Sequence, residues 1–427
     1  MRRPLATITA ALALVALPAA TAYADPTDPA PGWSSMSTDG TIRAAVGGDG
    51  GAHVAADESF DQPATLFWLG PDGQRRSATE TDYHGPHLAT GVGDSAVVVA
   101  DRGTKVVAQR HSERGWSGEH VVADGLNGVR RLALDTNLYG DPVVTWADND
   151  GQFHAATGGG GWSVTTPPVV NTDPAGVHRF RVSKPVINDA GKSSLVWFQP
   201  AAKGGGQLMR SILESGGRRW STARPIATLA SDPAHLALTT DTWGRETVAA
   251  GSLVWRQVHP NAGFRFQFQA TGATSVDLAA SGPRTRVAWM TRSGHTFSVK
   301  TRLIVDAELR PTRTVWTKSM SKKWRAGCFA KAGTLVAVAP QGRSYLAWAV
   351  DSPYGLAGCP EFGGGVVARV AAVNGADREV GAHNVSYLRG HLSSLSVTGR
   401  GPVALTYVSD YNDNGWGTTA RSVFLSR

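Results

Sequence analysis

Between Arg131 and Val169 the chain alternates short apolar runs with turn-forming residues. LALDT, PVVTW, QFHAAT and WSVTTPPV are short and rich in valine, threonine and aromatics, which predicts four strands. NLYGD, ADNDG and GGGG separate them, and no helical period competes. Asp150–Gly151 predicts a tight two-residue hairpin turn, since positive φ there suits glycine.

The unit recurs. Leu132 to Trp146 aligns with Leu236 to Ala250, and an aromatic precedes the turn glycine in both: Tyr139 before Gly140, Trp243 before Gly244. SSLVWFQ, TRVAWMT, SYLAWAV and PVALTYV repeat the second strand, whereas GWSGEHVV, GWSVTTPPV and RWSTARPI repeat the fourth. Self-similarity at a period of roughly forty to sixty residues, built on four-strand units, predicts an all-β propeller. First-to-second strand pairs begin near Thr41, Pro86, Arg131, Arg179, His235, Ser275, Thr334 and His391, which makes eight four-stranded blades. Seven is the alternative count, because the repeats from His235 to Lys318 are the most degenerate. The last unit ends after TTARSVFLS without a fourth strand, and an orphan fourth-strand signature stands at Trp33. Pairing the two closes the ring and removes an open sheet edge. Where Trp146 is replaced by Ala100 or Ala250, and in the first unit, the tryptophan is expected to move to the third strand, as Trp68 and Trp255.

The first residues change the compartment. Arg2 and Arg3, an apolar stretch from Leu5 to Ala20, and Ala22-Tyr23-Ala24 make residues 1–24 a secretory signal too short to span a bilayer. Residues 25–32 read as a proline-rich leader and 33–427 as the propeller. The expected location is extracellular, with no membrane span. Losing Arg2 and Arg3 lowers the formal charge from +8 to +6, a modest excess that favours a soluble surface over nucleic-acid binding. Export also predicts that Cys328 and Cys359 form a disulfide, worth about 3–4 kcal/mol in the chain-entropy account.

Connectivity then places candidate chemistry. Links between blades and second-to-third strand turns share one face of a propeller, and the other turns share the opposite face. Cys328 lies in a link and Cys359 in the long turn DSPYGLAGCPEFGGG, so the bond would pin that turn. On the same face fall aromatics outside the blade-forming pattern: Trp324 beside Arg325, Tyr354 and Phe362 on the pinned turn, Tyr411 and Trp416 on the last blade. Exposed aromatics on rigid loops with polar neighbours suit a sugar ring, and this set is the expected ligand site; packing over the blade tops is the plainer alternative. Asp410, Asn412 and Asn414 open like a calcium loop. Arg421 stands where an EF-hand would close with glutamate, which leaves a propeller-type calcium hairpin or, more simply, a self-capped Asx turn. His84 and His87 flank Gly85-Pro86 and read as a turn before a metal site. The basic run Ser319-Met320-Ser321-Lys322-Lys323-Trp324-Arg325 reads as a solvated link, with contact to an acidic glycan or partner as the alternative. No cofactor is required.

With its Asx–Gly turns and GWS strands, the repeat resembles secreted β-propellers of actinobacteria, among them sialidase-like proteins and lectins, including lectin subunits of secreted toxin particles. The sialidase F/Y-R-I-P motif finds only Phe180-Arg181-Val182-Ser183, and Ser37-Thr38-Asp39-Gly40 lacks the spacer and tryptophan of an Asp-box. No G-x-S-x-G, H-E-x-x-H or phosphate loop is present. The expected function is a non-catalytic, lectin-like module for a surface glycan or protein partner, and the resemblance implies a subunit of a secreted complex. A propeller glycoside hydrolase or lyase, with carboxylates converging on the central channel, is the alternative.

Overall fold

Valine- and alanine-rich strands form each unit because both of their faces are covered by neighbouring units. Pro142–Ala147 is buried at every position, as are Glu246–Ala250 and Ser344–Ala349. The computed structural model describes residues 33–38, 42–46, 51–57, 64–69, 74–91, 95–112, 115–158, 161–169, 181–306, 308–320, 333–338, 343–350, 368–373, 379–386, 390–397, 403–409 and 420–426. Among these residues there is no helix, and the strands form eight antiparallel sheets of four or five strands. The secretory signal, the proline-rich leader, Cys328 and Cys359 lie outside the described residues.

Blades are numbered here by their inner strands in chain order: Ile42–Val46, His84–Thr90, Arg130–Thr136, Val186–Ile187, Leu236–Thr240, Ala273–Ser281, Gly333–Val338 and Gly390–Val397. Each inner strand contacts the next, and Gly390–Val397 contacts Ile42–Val46, so the order is cyclic. In blade eight, Trp33–Thr38 runs antiparallel to Ala420–Ser426, with Trp33 opposite Ser426. Blade four's inner strand is broken into Arg181–Val182 and Val186–Ile187. Pro185 interrupts it, having no N–H to give the ladder and restricting the residue before it.

The cores lie between blades. Val97, Val99, Val106 and Ala108 of blade two pack with Leu134, Val144 and Trp146 of blade three. Equivalent clusters join blades four and five, five and six, and six and seven. Trp146, Trp197, Trp289 and Trp348 occupy the repeated second-strand position and are buried. Blade five has Ala250 there, and Trp255 of its third strand fills the space instead. In blade one the expectation for Trp68 needs correction: Phe67 of the third strand, opposite Val54, fills the core. The half-buried Trp68 lies on the other strand face, where Gly51 makes room, since a Cβ on it would lie 2.4 Å from the indole. Blade two has no third-strand tryptophan, and Trp116 packs partly against its core with blade one.

The repeated Trp-Ser pair also has a physical cause. Ser117 Oγ accepts the Arg110 N–H at 3.1 Å while its own N–H bonds the Arg110 carbonyl at 2.7 Å. Ser221 does the same with Ile212, at 3.1 and 2.7 Å. The serine starts the outer strand by satisfying the edge of the third. One local expectation needs correction. Asp150–Gly151 is not a two-residue hairpin, because Ala147 pairs with Phe153 and five residues lie between. Asp148 closes this longer loop: its Oδ1 accepts the Gln152 N–H at 2.8 Å and its Oδ2 lies 3.0 Å from His154 Nε2.

Candidate binding rim of the channel

The inner strands enclose a central cavity of about 770 Å³, lined by residues from all eight blades. It opens among the first-to-second strand turns, the face opposite the links. Three of these turns follow one plan, in which an Asn or Asp begins a five-residue loop with glycine fourth. Asn137 Oδ1 accepts the N–H groups of Tyr139 and Asp141 at 3.0 and 2.9 Å. Asn188 Oδ1 accepts those of Ala190 and Lys192, both at 3.0 Å. Asp241 Oδ1 accepts those of Trp243 and Arg245 at 3.0 and 2.9 Å. The glycine must turn back with positive φ, 81° at Gly140 and 77° at Gly244.

This geometry fixes the third residue of each loop on the rim and points it outward. Tyr139 is 75% exposed and Trp243 is 55% exposed, while blade four between them carries Ala190. The rim thus has two aromatics one blade apart with a small residue between, next to Asn137, Asn188 and Asp189. The loops are braced. Leu138 N–H donates to Asp189 Oδ1 at 3.2 Å, tying blade three to blade four. Arg245 donates to Asp241 Oδ2 at 2.7 Å and to Asp306 of blade six at 3.3 Å. Its guanidinium carbon sits 4.4 Å from the centre of the Trp243 ring, which covers one ring face and polarises it.

Deeper in the channel stand two carboxylates and a lysine. Asp135 Oδ2 accepts the Ile187 N–H of blade four at 3.1 Å, and Asp277 Oδ2 accepts the Val336 N–H of blade seven at 2.8 Å. Both are latches between neighbouring inner strands, whose channel-side edges otherwise lack partners. Burial pushes the Asp135 carboxyl up to about 6 against the opposing charge of Lys184. Asp277 is raised by the same cause. His87 is held down at about 3 by burial and by the charges of Arg43 and Lys184.

The six aromatic and basic residues expected to bind ligand, Trp324, Arg325, Tyr354, Phe362, Tyr411 and Trp416, lie outside the described residues. So do the calcium candidates Asp410, Asn412 and Asn414. Among the described residues no three His, Cys, Asp or Glu side chains gather as a metal site, so His84 and His87 join no such cluster. No described helix is long and apolar enough to cross a membrane. The rim aromatics were visible in the sequence as a mark of the repeat. Their exposure was not, because a repeated aromatic is as consistent with packing as with display.

No protein-family model matches the chain. No curated protein matches it either. Solved structures do. The SapL1 lectin in complex with α-methyl fucoside is 13% identical over 71% of this chain and 95% of its own, with a TM-score of 0.39. An ulvan lyase bound to -[GlcA(1-4)Rha3S]- is 8% identical over 76% and 94%, with a TM-score of 0.42. The quinohemoprotein alcohol dehydrogenase of Comamonas testosteroni is 8% identical over 92% and 76%, with a TM-score of 0.45. At these values the likenesses carry no chemistry, and the β-propeller fold rests on this chain's own strand pairing.

Proposed function

We propose that this chain is a secreted, non-catalytic binding propeller that recognises a glycan or a protein partner at the cell surface. The observation that carries the reading is the exposure of Tyr139 and Trp243 on hydrogen-bonded loops at the mouth of the channel. Neither ring belongs to a blade core, Trp243 keeping one face open beyond the Arg245 guanidinium, and the rigid mounting lowers the ordering cost of binding. One apolar ring face and nearby Asn and Asp groups match the two kinds of surface on a sugar. The link-face set around Trp324 and Trp416 belongs to the same reading as a second patch, with the Cys328–Cys359 bridge pinning it and calcium at Asp410, Asn412 and Asn414 as an optional brace. A glycan array probed with the mature protein tests the reading, and Tyr139→Ala and Trp243→Ala should each lose signal on whatever the wild type binds.

The second reading, a propeller glycoside hydrolase or lyase, has one observation in its favour: Asp135 and Asp277 share the channel wall with Lys184. Each carboxylate is nonetheless committed to a neighbouring blade's backbone. This reading calls for turnover of a polysaccharide that Asp277→Asn abolishes while binding remains.

A further inference from the structure

A second cavity, of about 500 Å³, opens from the link side, beneath blades three to six. Lys184, Leu236, Ala237 and Asp277 line both cavities, so the two meet inside the channel. The lower cavity has a different chemistry. Its lining holds Arg131, Arg181 and Lys184 from two blades, with His235 from a third, against the single carboxylate of Asp277. That carboxylate is already engaged with the Val336 N–H. His235 Nε2 lies 2.9 Å from the Thr274 carbonyl and so carries a proton.

Two of the cations keep unused hydrogen-bonding capacity. Arg181 Nε is 3.6 Å from Asp232, beyond hydrogen-bond distance, and finds no hydrogen-bond partner. Lys184 is exposed and feels the charges of Asp135 and Asp277, but it makes no direct ion pair or hydrogen bond among the described residues. Arg131 is aimed at the cavity by a bulge: pairing slips between Arg130 and Ala133, and Arg131 itself has a φ of 53°. Its guanidinium is held below its ordinary value first by burial and then by the charge of the nearby Arg181. A second observation is independent of charge. Thr145, fully buried, lines the same cavity, and its hydroxyl has no hydrogen-bond partner. Buried hydroxyls are rarely left unsatisfied in a finished site.

We propose that this cavity binds an oxyanion, the carboxylate or sulfate of an acidic saccharide, between Arg131, Arg181 and Lys184, with the Thr145 hydroxyl donating to it. Two guanidinium forks and an ammonium supply the charge-assisted donors such a group requires. The volume suits a ligand of sugar size, not a chain lying along a surface groove. The site is separate from the aromatic rim and stands or falls independently of it.

The test is calorimetric titration of the full chain with glucuronate, with inorganic sulfate and with neutral glucose, repeated for Arg181→Gln, Lys184→Gln and Thr145→Val. Binding of glucuronate, sulfate or both is expected, weakening as salt rises, with none for glucose; the stronger of the two anions assigns the group. Each charge variant should weaken binding at least about five-fold. Thr145→Val should weaken it without lowering the unliganded melting temperature, because it removes a hydroxyl that has no partner in the free protein. The proposal is overturned if neither anion binds, if glucose binds as well as they do, or if binding survives Lys184→Gln and Thr145→Val unchanged.

Discussion

Blades three and five present the same loop on different foundations. Both begin the loop with an Asx side chain, both place an aromatic third and glycine fourth, and both leave the aromatic in water. Beneath, blade three is apolar at its centre, with Trp146 fully buried and stacked on His154 at 5.4 Å between ring centres. Blade five has Ala250 there and a buried ionic knot instead. Asp241 Oδ2 accepts from Arg245 at 2.7 Å and from Arg256 at 2.9 Å, and Arg256 also bonds Thr285 of blade six. Burial lowers Arg256 to about 10 even with Asp241 beside it, so the knot holds its charge at a cost. Packing is thus interchangeable between the two blades, whereas the displayed aromatic is common to both although neither core uses it. A feature kept where its support differs is the better candidate for function.

Several substitutions separate the support from the display. The largest effect is expected for Asp241→Ala, which leaves Arg245 and Arg256 without their shared carboxylate and should cost about 3–5 kcal/mol in urea unfolding. In blade three the corresponding Asn137→Ala removes hydrogen bonds, one of them to the Asp141 carboxylate, but strands no buried cation, and should cost only about 1–2 kcal/mol. Equal losses would mean that the two foundations do not differ as described. Trp146→Ala should also cost about 3–5 kcal/mol, while leaving ligand binding within about two-fold.

Acid should act through the channel rather than through either loop. His87 has a folded value near 3, below the ordinary 6.5, so the unfolded chain takes up a proton that the folded chain refuses. Its contribution is complete above pH 6.5 and is lost as pH falls towards 3, about 2 kcal/mol between pH 7 and 5. Asp135, raised to about 6, has the opposite sign: its ionisation penalises the folded state above pH 6, and the penalty is relieved as pH falls from 6 to about 4. Asp135→Asn, which keeps an acceptor for the Ile187 N–H, should therefore raise stability at pH 7 by about 1–2 kcal/mol and steepen the acid loss below pH 6. A stability–pH profile of that variant parallel to wild type would remove Asp135 from the account.

The fold could be read from the sequence because its cause is local. Strand alternation, the serine after Trp116 and Trp220, and the Asx–Gly loops each act within a few residues, and repetition makes them visible. The tryptophan exchange between Trp146 and Trp255 could be read for the same reason. Asp150–Gly151 misled because the side chain that closes its loop, Asp148, stands just before the pair. The lower cavity could not be read at all. Arg131, Arg181, Lys184 and His235 come from three blades and are tens of residues apart in the chain, and only the packing of successive inner strands brings them together. Nor could display be told from packing at Tyr139 and Trp243, since burial depends on how far each loop rises above its neighbours.

The most direct measurement is quantitative binding of the double variant Tyr139→Ala, Trp243→Ala to a ligand recovered from the array, beside its thermal unfolding. Each ring face contributes about 0.5–1.5 kcal/mol when stacked, so the account predicts roughly a ten-fold or greater loss of affinity with the melting temperature unchanged. Undiminished binding by a folded double variant would contradict it and move the site away from this rim.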